Sequence, residues 1–148
     1  MTTKTAAITA LLAADATLKA LATGGVFDLN ALDRQGLELE DITAGAPLVQ
    51  PAIAVRLSGE TPYSGLAVSA AQITVELYFY QHAGYATCEA MRARCYALLH
   101  RQRVASTEPA GEWLFQLQWA GDITGQNDES LGGASMERSR YIGYLTKQ

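Results

Sequence analysis

Between Gln72 and Tyr80 every second residue is large and apolar. Ile73, Val75, Leu77 and Phe79 fall on one side, and Gln72, Thr74, Glu76, Tyr78 and Tyr80 on the other. A repeat of two is the geometry of a β-strand, and one wet and one dry side describe a half-buried strand in an antiparallel sheet. The same pattern recurs in shorter form. Ala52 to Leu57 places Ile53, Val55 and Leu57 together, and Glu112 to Ala120 does so with Trp113, Phe115, Leu117 and Trp119. Val26 to Leu29 and Met136 to Thr146 read as a short first strand and a last one. Between them, Ser58 to Ser69 carries Gly59, Pro62 and Gly65 and reads as a protruding hairpin loop. Asn30 to Leu48 and Gly121 to Gly133 read as further loops.

Two segments have a helical period instead. Thr2 and Thr3 can cap a first helix that carries no charge from Thr5 to Ala14, with Ile8, Leu11 and Leu12 facing one way and Ala6, Ala10, Ala13 and Ala14 the other. Asp15 would interrupt the leucine face of a straight helix. It is better placed ending that helix and capping a short second one, Ala16 to Leu21, which Gly24-Gly25 then stops. From Tyr85 to Leu99, Cys88, Met91, Cys95, Leu98 and Leu99 form an inward stripe opposite Ala90, Ala93 and Ala97, and Arg101 and Arg103 follow at the end. Helices between hairpins predict an α+β fold: one antiparallel sheet of about four strands with helices packed on one face, in a single domain spanning residues 1–148.

Hydrophobic residues make up 49% of the chain and charged residues 18%. The charged share of a typical globular chain is roughly 25%. A helix that is apolar on one side and alanine-lined on the other usually packs on both, so this surface is expected to be covered by neighbouring subunits. The net charge of −4 argues against a sequence-independent grip on nucleic acid. No run of about 18 apolar residues exists to span a membrane, and no secretory signal is visible at the start.

Chemical motifs are sparse. Cys88 and Cys95 sit seven apart on one helix, about 10 Å by helical rise, which is too far for a disulfide. They read as small core residues in a reducing compartment. His82 and His100 have no partner at a metal-ligand spacing and read as surface histidines. Gly132-Gly133-Ala134-Ser135 precedes a strand, so it lacks the helix N-terminus of a phosphate cradle. Glu38, Glu40 and Asp41 could hold a divalent cation, but their spacing is not that of a calcium loop. They read as a solvated acidic loop or as an acidic surface facing a DNA channel. The Trp113 to Trp119 stripe has no interleaved cation and reads as core rather than as a base-stacking platform. Arg92, Arg94, Arg101 and Arg103 read as helix-terminal charges or subunit salt bridges. A site built from Glu76, His82 and Arg138 is the enzymatic alternative, and no spacing supports it.

The segments ITALLAADATLKALATGGVFD, PAIAVRL followed by ITVELYFYQHAGYATCEAMRARCYALLHR, and the closing YIGYLTK together resemble the tail terminator (tail completion) proteins of long-tailed bacteriophages. The first has that family's opening helix, acidic break, short helix and glycine turn into a strand. The resemblance implies a structural virion protein with no enzyme activity and no cofactor. It implies a homo-oligomer, a hexameric ring at the head–tail junction assembled in the host cytoplasm. Such a ring caps the tail tube, stops its elongation and joins it to the neck and head-completion protein, while genomic DNA passes through without specific binding. A neck stopper or tail-tube subunit is the near alternative, and a small ligand-binding domain or enzyme the distant one. On this reading, contacts with other proteins are expected from the loops Leu37–Gln50, Ser58–Ser69 and Gly121–Gly133 and from the aromatic strand face. The residues singled out are Glu38, Glu40, Asp41, Pro62, Tyr63, Tyr78, Tyr80, Asn127, Asp128 and Arg138.

Overall fold

A computed structural model describes residues 3–32, 36–43, 48–62, 70–107 and 110–147. In chain order the elements are α1 (Ala6–Ala14), α2 (Ala16–Leu21), β1 (Gly25–Asp28), α3 (Leu39–Thr43), β2 (Ala52–Pro62), β3 (Ala70–Gln81), α4 (Ala86–Leu99), β4 (Arg103–Thr107), β5 (Ala110–Asp128) and β6 (Ala134–Lys147), with short 3-10 turns at Leu29–Ala31 and Glu129–Leu131. The strands form one sheet in the order β1-β2-β3-β6-β5-β4, which curls into a half-barrel.

This corrects the expected four-stranded antiparallel sheet in three respects. First, β1 pairs with β2 in parallel, Val26 opposite Ile53, so the sheet is mixed. Parallel neighbours need a crossover of a dozen or more residues, and the long connection after Asp28 supplies it. Second, β4 follows directly on α4 and pairs antiparallel with β5. Third, the helices occupy both faces. α1, α2 and α4 pack on the inner face, where Ile8, Leu12, Leu18, Cys88, Met91, Cys95 and Leu99 meet Ile53, Val55, Ile73, Val75, Leu77, Phe79, Phe115, Leu117 and Tyr141. α3 lies on the other face, where Ile42 and Val49 join Ala52, Ala54, Tyr80, Leu131 and Ala134 in a smaller second core. Within the connection expected to dock on a neighbour, Ile42 and Val49 thus pack against the protein's own sheet. Each fully buried large apolar side chain contributes about 1.5–3 kcal/mol to this arrangement.

Local features follow the sequence in part: α1 has Thr5 at its N-terminal boundary with no side-chain cap, and the Thr3 hydroxyl expected to cap it donates to Asp28 instead, while Thr2 lies outside the described residues. Asp15 ends α1 in extended backbone and caps α2, its Oδ2 accepting from the Leu18 amide at 3.0 Å. The carboxylate also receives two hydrogen bonds from Arg94 on α4, at 3.0 and 2.7 Å, which tie the helices together. The start of α4 is capped from the preceding strand: Gln81 Oε1 accepts from the Cys88 amide at 2.8 Å while Nε2 donates to the Ala83 carbonyl at 2.7 Å. Gly84, at φ +74°, makes the intervening turn.

β5 runs straight through the segment expected to be a loop from Gly121, pairing with β6 as far as Asp128. Its register shifts twice, between Trp119 and Gly121 and between Ile123 and Gln126. Gly121 (φ +130°) and Gly125 (φ +70°) supply the backbone that such bulges require. β2 likewise continues beyond Leu57 to Pro62, and the rest of the expected hairpin loop, with Tyr63, lies outside the described residues.

Candidate assembly surfaces

The alternation in β3 and β6 leaves an open stretch on the outer face of the sheet, beside the part that α3 covers. Its centre is Glu76, which is buried. Cross-strand pairing sets Glu76 opposite Arg56 on β2 and Arg140 on β6. Arg138 Nη1 and Arg140 Nη2 each stand 3.6 Å from one of its oxygens, and the Tyr78 hydroxyl donates to Oε2 at 2.8 Å. The Arg56 guanidinium lies 5.6 Å over the Tyr78 ring. Burial, and then this bond to the carboxylate, push the Tyr78 phenol above its ordinary pKa. Ile123, Ile142 and Tyr144 flank the cluster on the outer face, each about two-fifths exposed.

A second open surface lies on the helix side. The first bulge in β5 inserts a residue after Trp119, so Trp119 and Asp122 point to the same face although three residues apart. Trp119 Nε1 donates to Asp122 Oδ1 at 3.0 Å, and Ser139 Oγ donates to the same oxygen at 2.6 Å. Arg92 on α4 bridges Asp122 (2.6 Å) and the buried Glu137 (3.1 Å). Tyr96 stacks on His100 with ring centres 4.6 Å apart and meets Trp119 edge-on at 5.9 Å. His100 Nδ1 accepts from the Trp119 amide, which fixes the ring. Beside these aromatics, Ala90, Ala93 and Ala97 are exposed along α4. A hollow of about 420 Å³ opens between Arg92, Ala93, Tyr96, Trp119, Asp122 and Tyr141. The Tyr141 hydroxyl is buried without a hydrogen-bond partner among the described residues.

The residues singled out from sequence are dispersed. Tyr78, Tyr80 and Asp128 come together around a hollow of about 240 Å³ with Arg56 and Leu37. Tyr80 is buried in the second core, with 5% of its surface exposed. Its phenol is pushed upward by burial and by the charge of Asp128. Asp128 is engaged locally, accepting from the amide and hydroxyl of Ser130. Glu38 and Glu40 are exposed at the start of α3, where Asp41 accepts from the Glu38 amide at 2.8 Å. Pro62 is exposed at the far end of β2, and Asn127 at the end of β5. Arg138 belongs to the Glu76 cluster. The proposed enzymatic trio does not converge, since His82 is exposed beyond the end of β3, six residues or roughly 20 Å from Glu76 at strand rise. Among the described residues no group of three His, Cys, Asp or Glu is arranged to hold a metal ion.

Sequence reasoning passed over Tyr96, Asp122 and Ile142. The signal for Asp122 was Gly121 beside it, since an isolated glycine in a strand marks a bulge. Of the tryptophan stripe, Phe115 and Leu117 are core and Trp119 is 40% exposed, while the Trp113 side chain lies outside the described residues. Arg92 and Arg94 form their salt bridges within the chain.

No family model and no curated protein matches the sequence. Among solved structures the chain is similar to one from the virion of native gene transfer agent (GTA) particle, with a TM-score of 0.64 and 18% identity over 97% of this chain and 92% of the other. At that identity the likeness is one of fold.

Proposed function

We propose that this chain is a structural subunit of a phage or phage-like particle, acting at the head–tail junction as a tail terminator. Copies form a ring that seats on the last ring of the tail tube, halts its growth and presents its other side to the neck. The ring leaves an acidic passage for DNA. The work is done by shape and surface, without a catalytic group or cofactor.

The observation that carries this reading is the pair of open surfaces, one on each side of the β5–β6 ribbon. Tyr96, Trp119, Ile123, Ile142 and Tyr144 are all exposed by two-fifths or slightly more. Large apolar groups gathered in this way mark surfaces that proteins cover. The likeness of fold to a chain from a gene transfer agent virion, over nearly the whole length of both, supports a virion as the setting. The resemblance of the opening helices and central strands to tail terminators supports the junction in particular.

Deleting the chain from its particle and imaging the products by negative stain tests the reading. A terminator predicts overlong tails or tails detached from heads. Particles with normal tails and full heads would refute it, and an absence of tails altogether would reassign the chain to the tube.

A further inference from the structure

The two open surfaces complement each other in charge. On the helix side, Asp122 and Glu137 share one guanidinium, that of Arg92, so the carboxylates are in excess by one. On the outer face, Arg138 and Arg140 share one carboxylate, that of Glu76, which Arg56 also faces across the strands, so guanidiniums outnumber the carboxylate. The two clusters sit back to back. Glu137 and Ser139 point to the helix side of β6, and Arg138 and Arg140 to the other. Arg140 is the most exposed charged group among them, its side chain 54% accessible. The helix-side hollow offers what such a cation seeks: the aromatic rings of Trp119 and Tyr96 and a carboxylate in excess.

We infer that the outer sheet face of one copy, centred on Arg140 and Ile142, docks into the Tyr96–Trp119–Asp122 hollow of the next copy. The partner is a second copy of this chain, and the inference rests on the ring reading above. Because the two surfaces differ and lie on opposite sides of one sheet, the contact is head-to-tail. Repetition of such a contact closes into a ring when its rotation divides a full turn. Arg140 then meets the aromatic walls and the surplus carboxylate of its neighbour, while Ile142 and Tyr144 cover Ala93 and Tyr96.

The test uses the whole chain and two exposed substitutions. Ala93→Arg places a bulky cation in the hollow, and Ile142→Asp places an acid on the sheet face. Each variant is checked for native circular dichroism and then weighed by sedimentation velocity and light scattering. The native chain is expected to form rings and each variant to stay monomeric. An equimolar mixture of the two variants is expected to stop at a 1:1 dimer, because each retains the one surface that the other lacks. Arg140→Ala is expected to weaken association roughly tenfold. Rings that persist in either variant, or folded variants that stay monomeric on mixing, overturn this interface and leave the terminator reading standing. Variants that keep their rings but no longer seat on tail tubes would assign the hollow to the tube protein, and also overturn it. A native chain that stays monomeric at several hundred micromolar overturns the interface and the self-assembling ring together. Normal particles made without the chain would refute the terminator reading alone.

Discussion

Arg92 and Asp122 meet at 2.6 Å across the gap between α4 and β5, although they lie 30 residues apart in sequence. The same guanidinium reaches Glu137 at 3.1 Å, so one side chain fastens the long helix to both strands of the β5–β6 ribbon. Removing it strands Glu137, which is 4% exposed. Breaking a buried pair by deleting one partner is far costlier than never having had it. Arg92→Ala is expected to lower stability by about 2–4 kcal/mol, read as a fall in the urea midpoint. Arg92→Ala combined with Glu137→Gln should recover part of that loss. If the single substitution leaves the midpoint unmoved, the clamp contributes nothing to the fold.

Asp15 predicts a pH dependence. Its carboxyl is held below the ordinary 3.8, chiefly by the hydrogen bond from Arg94 and further by the Leu18 amide. A group whose pKa is depressed by folding stabilises the native state above its unfolded pKa and loses that contribution as pH falls through the folded one. Asp15→Asn keeps a side-chain cap but loses the charge. The native chain should therefore exceed the variant in stability at neutral pH, with the difference fading below about pH 4. Asp15→Ala removes the cap as well and should cost a further ~1 kcal/mol. Thermal melts at pH 7 and pH 3 check both, and a difference that grows on acidification would contradict the assignment.

Gly143 predicts a steric effect. A Cβ built there would stand 1.9 Å from the Gln116 carbonyl oxygen, which is backbone and cannot step aside. Gly143→Ala must push β5 away from β6, at a cost of about 1–3 kcal/mol or more. By contrast Thr124→Ala, at an exposed position of β5 outside the docking residues, should stay within about 0.5 kcal/mol. Guanidinium denaturation of the two variants side by side makes the comparison.

The cysteines predict a reactivity pattern. Both thiols are free and buried, and burial pushes Cys88 up to about 12 and Cys95 higher still. The thiolate is the reactive species. A colorimetric thiol reagent at pH 8 should find almost no reactive thiol in the native protein and two per chain in urea. Rapid labelling of the folded chain would show that α4 opens far more readily than its packing implies.

Much of the fold was legible wherever a single period ruled a segment. β3, α4 and the break at Asp15 follow from residues that agree with their neighbours over several turns or repeats. β5 was half legible, because Gly121, Gly125, Asn127 and Asp128 are the vocabulary of loops. In this chain the first two serve bulges within a strand, and only pairing with β6 reveals the difference. β4 hid behind Arg101 and Arg103, which suit a helix end. The chain instead turns at Arg101, with φ +57°, and goes on as a strand. The parallel pairing of β1 with β2 depends on contacts across the long crossover, and no local pattern encodes it. The candidate surfaces were legible in part, as a general shortage of charge and through Tyr78 and Arg138, which belong to the outer cluster. Which residues meet there depends on the register of β5 against β6, which a bulge resets.

α1 touches both outermost strands, β1 and β4, and just before it the Thr3 and Thr5 hydroxyls bind the Asp28 carboxylate at the end of β1. One short helix therefore guards both margins of the sheet, the places where a curled β-structure would otherwise recruit strangers. A chain that must crowd against identical siblings runs a constant risk of zipping into fibres. Trimming the residues ahead of Ala16 should expose that hazard, yielding a polypeptide that clumps rather than one that merely assembles less well.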